Sequence, residues 1–438
     1  MRQGDGVIAS APVPSSPLAI PDFRLYWIAR FAAVLSTMGM VVIIGYQVYD
    51  TARSDYDMSI REASLQIGLV GLFQFIPLAL LTPLAGWVAD RFERRTVARL
   101  ANAIDMCVAL ALGYVTANDL LTLPVLFTFA ALHGIARVFV GPAMSAIAPN
   151  IVPAPLLPKA IAMSSIAWQS ASVGGPALGG FLYAADPALP YWTAAGLMLI
   201  AIIAMTPIRP VIPPPFETKT GPLRQMADGV TYVRNHRFLL GAITLDLFAV
   251  LLGGATAMLP VYARDILHVG TEGLGLLRAA PAVGAALVAL WFSWRPLRYN
   301  VGVKMLYAVA AFGVMTIIFG FSRQMWLSLT ALALLGGFDM LSVYVRSSLV
   351  QLHTPDTMRG RVSAVSGLAI SASNELGEVQ SGIAAALIGP VAAVVVGGAA
   401  AMAIALGWAY LFPELRRART FDPPDTAPPN AVMQEKPA

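Results

Sequence analysis

The chain has 438 residues, of which 57% are hydrophobic and only 12% charged, with a formal net charge of +5. Soluble domains carry about 25% charged residues, so this composition excludes an ordinary water-soluble protein and, with a mean hydropathy of +0.69, points to a surface solvated by lipid. A single cysteine, Cys107, excludes an intrachain disulfide, and the four His show no metal-ligand spacing, so no metal and no cofactor is expected.

Taken in chain order, residues 1–22 (MRQGDGVIASAPVPSSPLAIPD) lack the apolar core of a signal peptide and read as a disordered cytosolic tail. Apolar runs near the roughly 20 residues that cross a bilayer follow at 25–49, 65–88, 97–117, 120–147, 161–185 and 190–208. These form an expected N-terminal six-helix bundle over 23–208. A linker over 209–237 holds PVIPPP and then a polar, helical stretch, GPLRQMADGVTYVRNHR. Six more runs, at 238–263, 272–294, 303–322, 325–350, 362–388 and 389–412, form a C-terminal bundle over 238–412. Residues 413–438, with FDPPDTAPPN, read as a second disordered cytosolic tail. The expected fold class is an all-α integral membrane protein of twelve transmembrane helices.

The basic residues orient it. With the N-terminus in the cytosol, only Arg53, Arg61, Arg264 and Arg323 fall in outside loops. Arg30, Arg137, Arg278 and Arg346 lie within spans, and every other Lys and Arg flanks a cytosolic end. Positive charge gathers on the inside of such proteins, so both termini are expected inside. The basic residues sit between apolar runs rather than in one patch, which argues against nucleic acid.

The halves also echo each other. Gly71-Leu72-Phe73-Gln74-Phe75-Ile76-Pro77 corresponds to Gly275-Leu276-Leu277-Arg278-Ala279-Ala280-Pro281, Gly134 to Gly337, and Gly180 to Gly382. All three share an offset of about 200 residues, as a parallel repeat requires. Six-plus-six parallel halves are an architecture of transporters.

Three motifs carry a family resemblance. GWVADRFERR (86–95) lies in the tight cytosolic loop between the second and third spans. It resembles the G-x-L-A-D-R-x-G-R-R motif of the major facilitator superfamily, with Val88 for Leu and Glu93 for the second Gly. Arg137-Val138-Phe139-Val140-Gly141 is similar to that family's R-x-x-Q-G motif, with Val140 for Gln. Gly175-Pro176-Ala177-Leu178-Gly179-Gly180 resembles the G-P-x-x-G-G of its exporter branches. DFRLYWIARF (22–31), MLPVYARDILHVG (258–270) and the stretch 345–378 resemble a bacterial siderophore and drug exporter subfamily. The resemblance implies that Gly86, Asp90, Arg91 and Arg94 form a cytosolic gate. It implies that Gly175, Pro176, Gly179 and Gly180 form a pliable, close-packed helix. The equivalent loop of the second half, ALWFSWRPLRYN, keeps Arg295 and Arg298 but has Trp294 where the Asp would fall, so the gate is expected to be asymmetric.

Charges at mid-bilayer are costly and are functional candidates by default. The coupling candidates are Asp105, Arg137, Asp246, Asp339, Glu375 and Glu378. Glu375 and Glu378 stand three apart and share a helix face, as a coupled proton-binding pair would. Asp105 and Arg137 lie at similar depth and are expected to pair, as are Asp339 and Arg346. Asp246 has no partner in its own helix. No Walker-type sequence and no Ser-His-Asp constellation is visible, so neither ATP hydrolysis nor any other enzymatic activity is expected.

These features predict a monomeric, proton-coupled exporter of small amphipathic molecules, siderophore or drug, in the bacterial inner membrane. Its partners would be the substrate, protons and membrane lipid. The alternatives are a lipid flippase or a non-transporting membrane sensor on the same fold.

Overall fold

The computed structural model describes residues 16–211 and 222–421, except 296 and 298 and the side chains of 90, 222, 223, 225, 356, 357 and 359. The first half holds α1 (Pro21–Ser54), α2 (Ile60–Arg91), α3 (Arg94–Ala117), α4 (Leu123–Ile151), α5 (Leu157–Ala185) and α6 (Leu189–Met205). The linker contributes α7 (Pro222–Asn235). The second half runs through α8 (Arg237–Leu252), α9 (Leu259–Val261), α10 (Gly270–Trp294), α11 (Val301–Phe321), α12 (Met325–Leu352), α13 (Asp356–Ile388) and α14 (Pro390–Leu411), and ends in α15 (Pro413–Arg417). No strand occurs among the described residues.

Local chemistry sets the boundaries. Ser59 and Glu62 cap the start of α2 reciprocally: the Ser59 amide donates to Glu62 Oε2 at 2.8 Å, and the Glu62 amide donates to Ser59 Oγ at 3.3 Å. Gly389, at φ +88°, turns the chain between α13 and α14, and Pro390 opens the next helix. Pro77, Pro83, Pro142, Pro149, Pro176 and Pro281 lie inside helices, as membrane spans tolerate.

Among the described residues, nine helical segments are long and apolar enough to cross a bilayer. The other helices at expected span positions are α5, α13 and α6, the last an apolar helix of 17 residues. Large apolar side chains face outward along the molecule, among them Leu80, Leu287, Leu406 and Tyr410 at 63–84% exposure. A water-soluble protein would not display them together, whereas a bilayer solvates them. The protein is a multi-pass membrane protein.

Packing repeats between the halves. In the first, α2 packs on α4, α4 on α3, and α3 on α6. In the second, α10 packs on α12, α12 on α11, and α11 on α14. The seam is made by α2 against α13 and by α10 against α5. These are corresponding crossings, as the parallel repeat in the sequence implied.

Three expectations change at the ends of elements. The run 238–263 is not one helix: α8 stops at Leu252, a 3-10 turn covers Ala255–Met258, α9 follows, and a π-helix covers Tyr262–Ile266. Gly253-Gly254 and Pro260 weaken helical continuation here. The first tail was expected to reach residue 22, yet a 3-10 turn begins at Pro17 and α1 at Pro21. The second was expected from 413, yet α15 docks its buried Leu415 into the second half. Residues 1–15 and 422–438 lie outside the described residues.

Candidate functional site: a charged cavity at the seam

The seam encloses a cavity of about 450 Å³ whose lining includes Gln74 from α2, Arg137 from α4, Trp168 from α5, Thr256, Arg278 from α10, and Asn374, Glu375 and Glu378 from α13. Both halves therefore contribute, and each supplies one arginine. Arg137 Nη1 donates to Gln74 Oε1 at 2.8 Å and lies 3.6 Å from Glu375 Oε1, across the seam. Arg278 Nη1 donates to the Thr256 carbonyl at 3.1 Å, and Nη2 lies 3.8 Å from Glu378 Oε1. After the break that follows α8, that Thr256 carbonyl accepts the Leu259 amide of a 3-10 turn as well as Arg278. Irregular backbone at membrane depth is tolerated where it lines a cavity, and this segment does. Gly71 lets α2 approach α13: an added Cβ there would lie 2.8 Å from Glu378 Cβ and 2.9 Å from the Glu375 carbonyl.

Two further lobes adjoin. One, of about 380 Å³, shares Trp168 and Asn374 with the first and adds Phe312, Asp339 and Met340. Behind it Arg346 Nη1 and Asp246 Oδ2 are 2.7 Å apart, both nearly fully buried. Asp339 lies within electrostatic reach of both, so two carboxylates share one guanidinium. The other lobe, of about 710 Å³, runs between α2, α4 and α13 to Gly86, Trp87, Met226 and Arg361. It widens the cavity toward the end of the molecule that carries the α2–α3 loop.

The opposite end is sealed. Arg264 pairs with Asp50 at 2.7 Å and donates to Ser54 Oγ at 2.9 Å. Asp265 accepts the Tyr49 hydroxyl at 2.5 Å and lies 3.4 Å from Arg53. Each pair joins α1 to the π-helix, and so one half to the other. The exporter-type motif packs α5 on two sides, against α1 within the first half and against α10 across the seam. Gly175 faces α1, where a Cβ would meet the Leu35 carbonyl at 2.6 Å. Gly180 faces α10, where a Cβ would overlap the Thr271 carbonyl oxygen. Gly275 in turn would strike the Pro176 carbonyl at 2.9 Å. Across the seam, a Cβ on Gly68 would lie 3.0 Å from Gly382 Cα. Gly180, Gly275, Gly71 and Gly382, matched in the sequence by offset, are thus the residues that let the halves touch.

The loop 86–95 is tied within the first half. Glu93 heads α3 at φ −58°, so the position that is Gly in the motif needs no left-handed backbone here. Glu93 pairs with Arg95 at 2.8 Å, and Arg95 also donates to the Thr206 carbonyl at 3.1 Å and to that of Ile208. Arg94 donates to the Ala146 carbonyl at 3.3 Å, on α4. Arg91 stacks on Trp87 at 4.7 Å, and a Cβ on Gly86 would meet nothing within 4 Å. Asp90 is helical, and its side chain lies outside the described residues.

One expected pairing is replaced and the other is shared. Asp105 bonds His133 Nδ1 at 2.7 Å inside the first half, not Arg137. Arg346 makes its short ion pair with Asp246 on α8, although Asp339 lies nearby. In the sequence Arg53 and Arg264 stand out only as rare outside arginines. Their signal was the acid beside each, in YDTAR (49–53) and YARD (262–265).

Comparisons with known proteins agree with this fold. The family model described as transmembrane secretion effector, of the major facilitator superfamily, matches residues 12–435. The enterobactin exporter of Citrobacter koseri is 27% identical over 416 residues, spanning 93% of this chain and 96% of that protein. An enterobactin exporter of Escherichia coli is 25% identical over 414 residues, spanning 93% and 95%. Among solved structures, the nucleoside transporter NupG superposes with a TM-score of 0.68 at 13% identity, over 89% of this chain and 100% of that one. A D-xylose–proton symporter superposes with a TM-score of 0.66 at 14% identity, over 90% and 98%. These folds and relatives are transporters, not enzymes. The chain is a membrane transporter and belongs to the transmembrane secretion effector family of the major facilitator superfamily.

Proposed function

We propose that this protein is a secondary exporter in a bacterial inner membrane, with twelve spans and both termini in the cytosol. The three helices beyond the nine that meet both length and apolarity, α5, α6 and α13, complete the count. It moves small amphipathic organic molecules outward by alternating access, driven by returning protons. The observation that carries this reading is the seam cavity, charged, built by both halves, wide toward the α2–α3 loop and closed at the other end by ion pairs between halves. With the arginine-rich α2–α3 loop in the cytosol, that is an inward-facing state. Gly86, Asp90, Arg91 and Arg94 would act when this wide end closes.

Among the candidate acids, the charge balance favours the Asp246–Arg346–Asp339 cluster as proton carrier. Glu375 and Glu378 each face an arginine, and Asp105 faces His133. Asp246 and Asp339 share one guanidinium, which leaves a carboxylate that a proton would neutralise.

The relatives' name supports a siderophore as the cargo to test first. Spent medium and cell extract of the source bacterium and its deletion strain, both iron-starved, should be compared by untargeted mass spectrometry. A chelator that falls outside and accumulates inside the deletion strain is expected. Restoring the wild-type gene should reverse this, and Asp90→Asn should not. Matching media would remove siderophore export, and a screen for sensitivity to lipophilic drugs would then test the wider exporter reading.

A further inference from the structure

The two arginines of the seam cavity are under-used donors. A guanidinium has five N–H groups. Arg137 has one hydrogen bond, to Gln74, and Arg278 has one, to Thr256. Their glutamates stand off at 3.6 and 3.8 Å, and the arginine side chains keep 29% and 25% exposure to the cavity. Arg346, by contrast, is drawn to 2.7 Å from Asp246 and keeps 2%. The Asp246–Arg346 pair closes tightly and is buried, and these two do neither.

Charge arithmetic gives the loose pairs a direction. Arginine keeps its charge at any physiological pH, whereas a glutamate is lost as a counter-ion when protonated. The lobe holding Arg137, Arg278, Glu375 and Glu378 therefore runs from neutral to positive and never becomes negative. An entering anion finds two guanidiniums, one from each half, held only by carboxylates that it can displace. An entering cation finds two carboxylates already countered by groups that cannot discharge. The apolar wall beside them, with Trp168, Val138 and Val250, suits a ring. Asp339, one of two carboxylates that share Arg346, sits in the adjoining lobe, where it would accept from a hydroxyl or amide of the same ligand.

We infer that the seam cavity takes amphipathic organic anions, whose acidic head displaces Glu375 and Glu378 from Arg137 and Arg278. This rests on reading the cavity as the transport site. Glu375 and Glu378 are then internal competitors of the substrate. Catecholates, carboxylates and phosphates share the required chemistry, and lipophilic cations do not.

The test uses two probes with one ring and opposite charge, 2-naphthoate and 2-naphthylmethylammonium. Each is titrated calorimetrically into the full-length protein in nanodiscs, with empty nanodiscs subtracted. Naphthoate should bind at least tenfold more tightly than the ammonium. Glu375→Gln with Glu378→Gln should tighten naphthoate several-fold, and Arg137→Gln or Arg278→Gln should weaken it at least tenfold. The glutamine pair keeps side-chain size, so the competition result stands even if an arginine variant fails to fold. Tighter binding of the ammonium, equal binding of both probes, no saturable binding of naphthoate, or loss of naphthoate binding in the glutamine pair would each overturn the inference. So would ammonium binding that Asp339→Asn removes. Ammonium preference together with an export defect in the deletion strain would sink the anion class alone. Naphthoate preference without any exported compound would sink the exporter reading instead.

Discussion

At the residue scale, the ionisable groups fall into three kinds of environment. Asp246–Arg346 and Asp105–His133 are buried and short, at 2.7 Å each. Removing one partner of the Asp246–Arg346 pair leaves an uncompensated buried charge and costs about 3–5 kcal/mol. Glu375 and Glu378 face the cavity loosely. The sealed-end pairs are half-exposed: Arg264 and Asp50 keep 27% and 35%. A pair of that exposure contributes about 0.5–1 kcal/mol, enough to shift a two-state balance but not to hold a fold. Arg264→Asp should therefore raise the fraction of molecules open at this end about two- to fivefold, on the same scale. Fluorophores on the outer loops of the two halves would report it by single-molecule energy transfer. Arg264→Asp combined with Asp50→Arg should restore the original fraction. An unchanged fraction in the single variant, or no recovery in the swap, would remove the clamp role.

Single residues of this kind were partly legible beforehand. Arg137, Glu375 and Glu378 stood out because charge within an apolar run has few structural excuses. Their partners did not. Asp105 and Arg137 share a depth, yet the rotation of α3 and α4 brings His133 to the acid and turns Arg137 to the seam. The rise per residue fixes depth, but facing depends on how each helix is rolled against its neighbours.

At the scale of elements, glycines set where the helices cross. The seam is closed by α5 on α10 and by α2 on α13, and each crossing has a Gly on both sides, Gly180 with Gly275 and Gly68 with Gly382. Between membrane helices there is no hydrophobic gain in contact, because lipid is equally apolar, so close backbone approach supplies the attraction. Gly180→Val should prop the α5–α10 crossing open from the sealed end. With Cys107 replaced by Ser and a cysteine placed at Asn374, an impermeant maleimide added to intact cells should label the cavity several times faster in this variant. Gly196→Val is the control, since a Cβ there meets nothing within 4 Å. Equal labelling in both would show that the crossing does not guard the cavity.

The broken element after α8 is the clearest departure from a pattern-based reading. Hydropathy runs unbroken through 238–263, so the sequence shows one span. The backbone nevertheless unwinds at Gly253-Gly254, and the Gly254 and Thr256 carbonyls accept bonds from Ser381 Oγ at 3.1 Å and from Arg278 at 3.1 Å. Those donors come from distant helices, so local sequence could suggest the weak point but not what satisfies it.

At the scale of the whole molecule, the two halves repeat their contacts, α2–α4 with α10–α12 and α3–α6 with α11–α14. Orientation follows from charge rather than packing. A phosphatase or fluorescent protein fused after Ala438 should report only the cytosol: fluorescence without phosphatase activity. Phosphatase activity would invert the molecule, and with it the assignment of the wide end as the entry side.

The sequence by itself determined the membrane class, the order of the apolar runs, the two-half plan and the family motifs. Composition and periodicity are properties of the chain, and a bilayer demands them of any spanning segment. The tertiary structure decided which charges meet, that two arginines and two glutamates share one cavity, and which end is sealed. Lipid and protein interior are about equally apolar, so hydropathy does not tell the buried face of a membrane helix from the exposed one. That choice was left to glycines and ion pairs, whose partners lie on the opposite half of the chain.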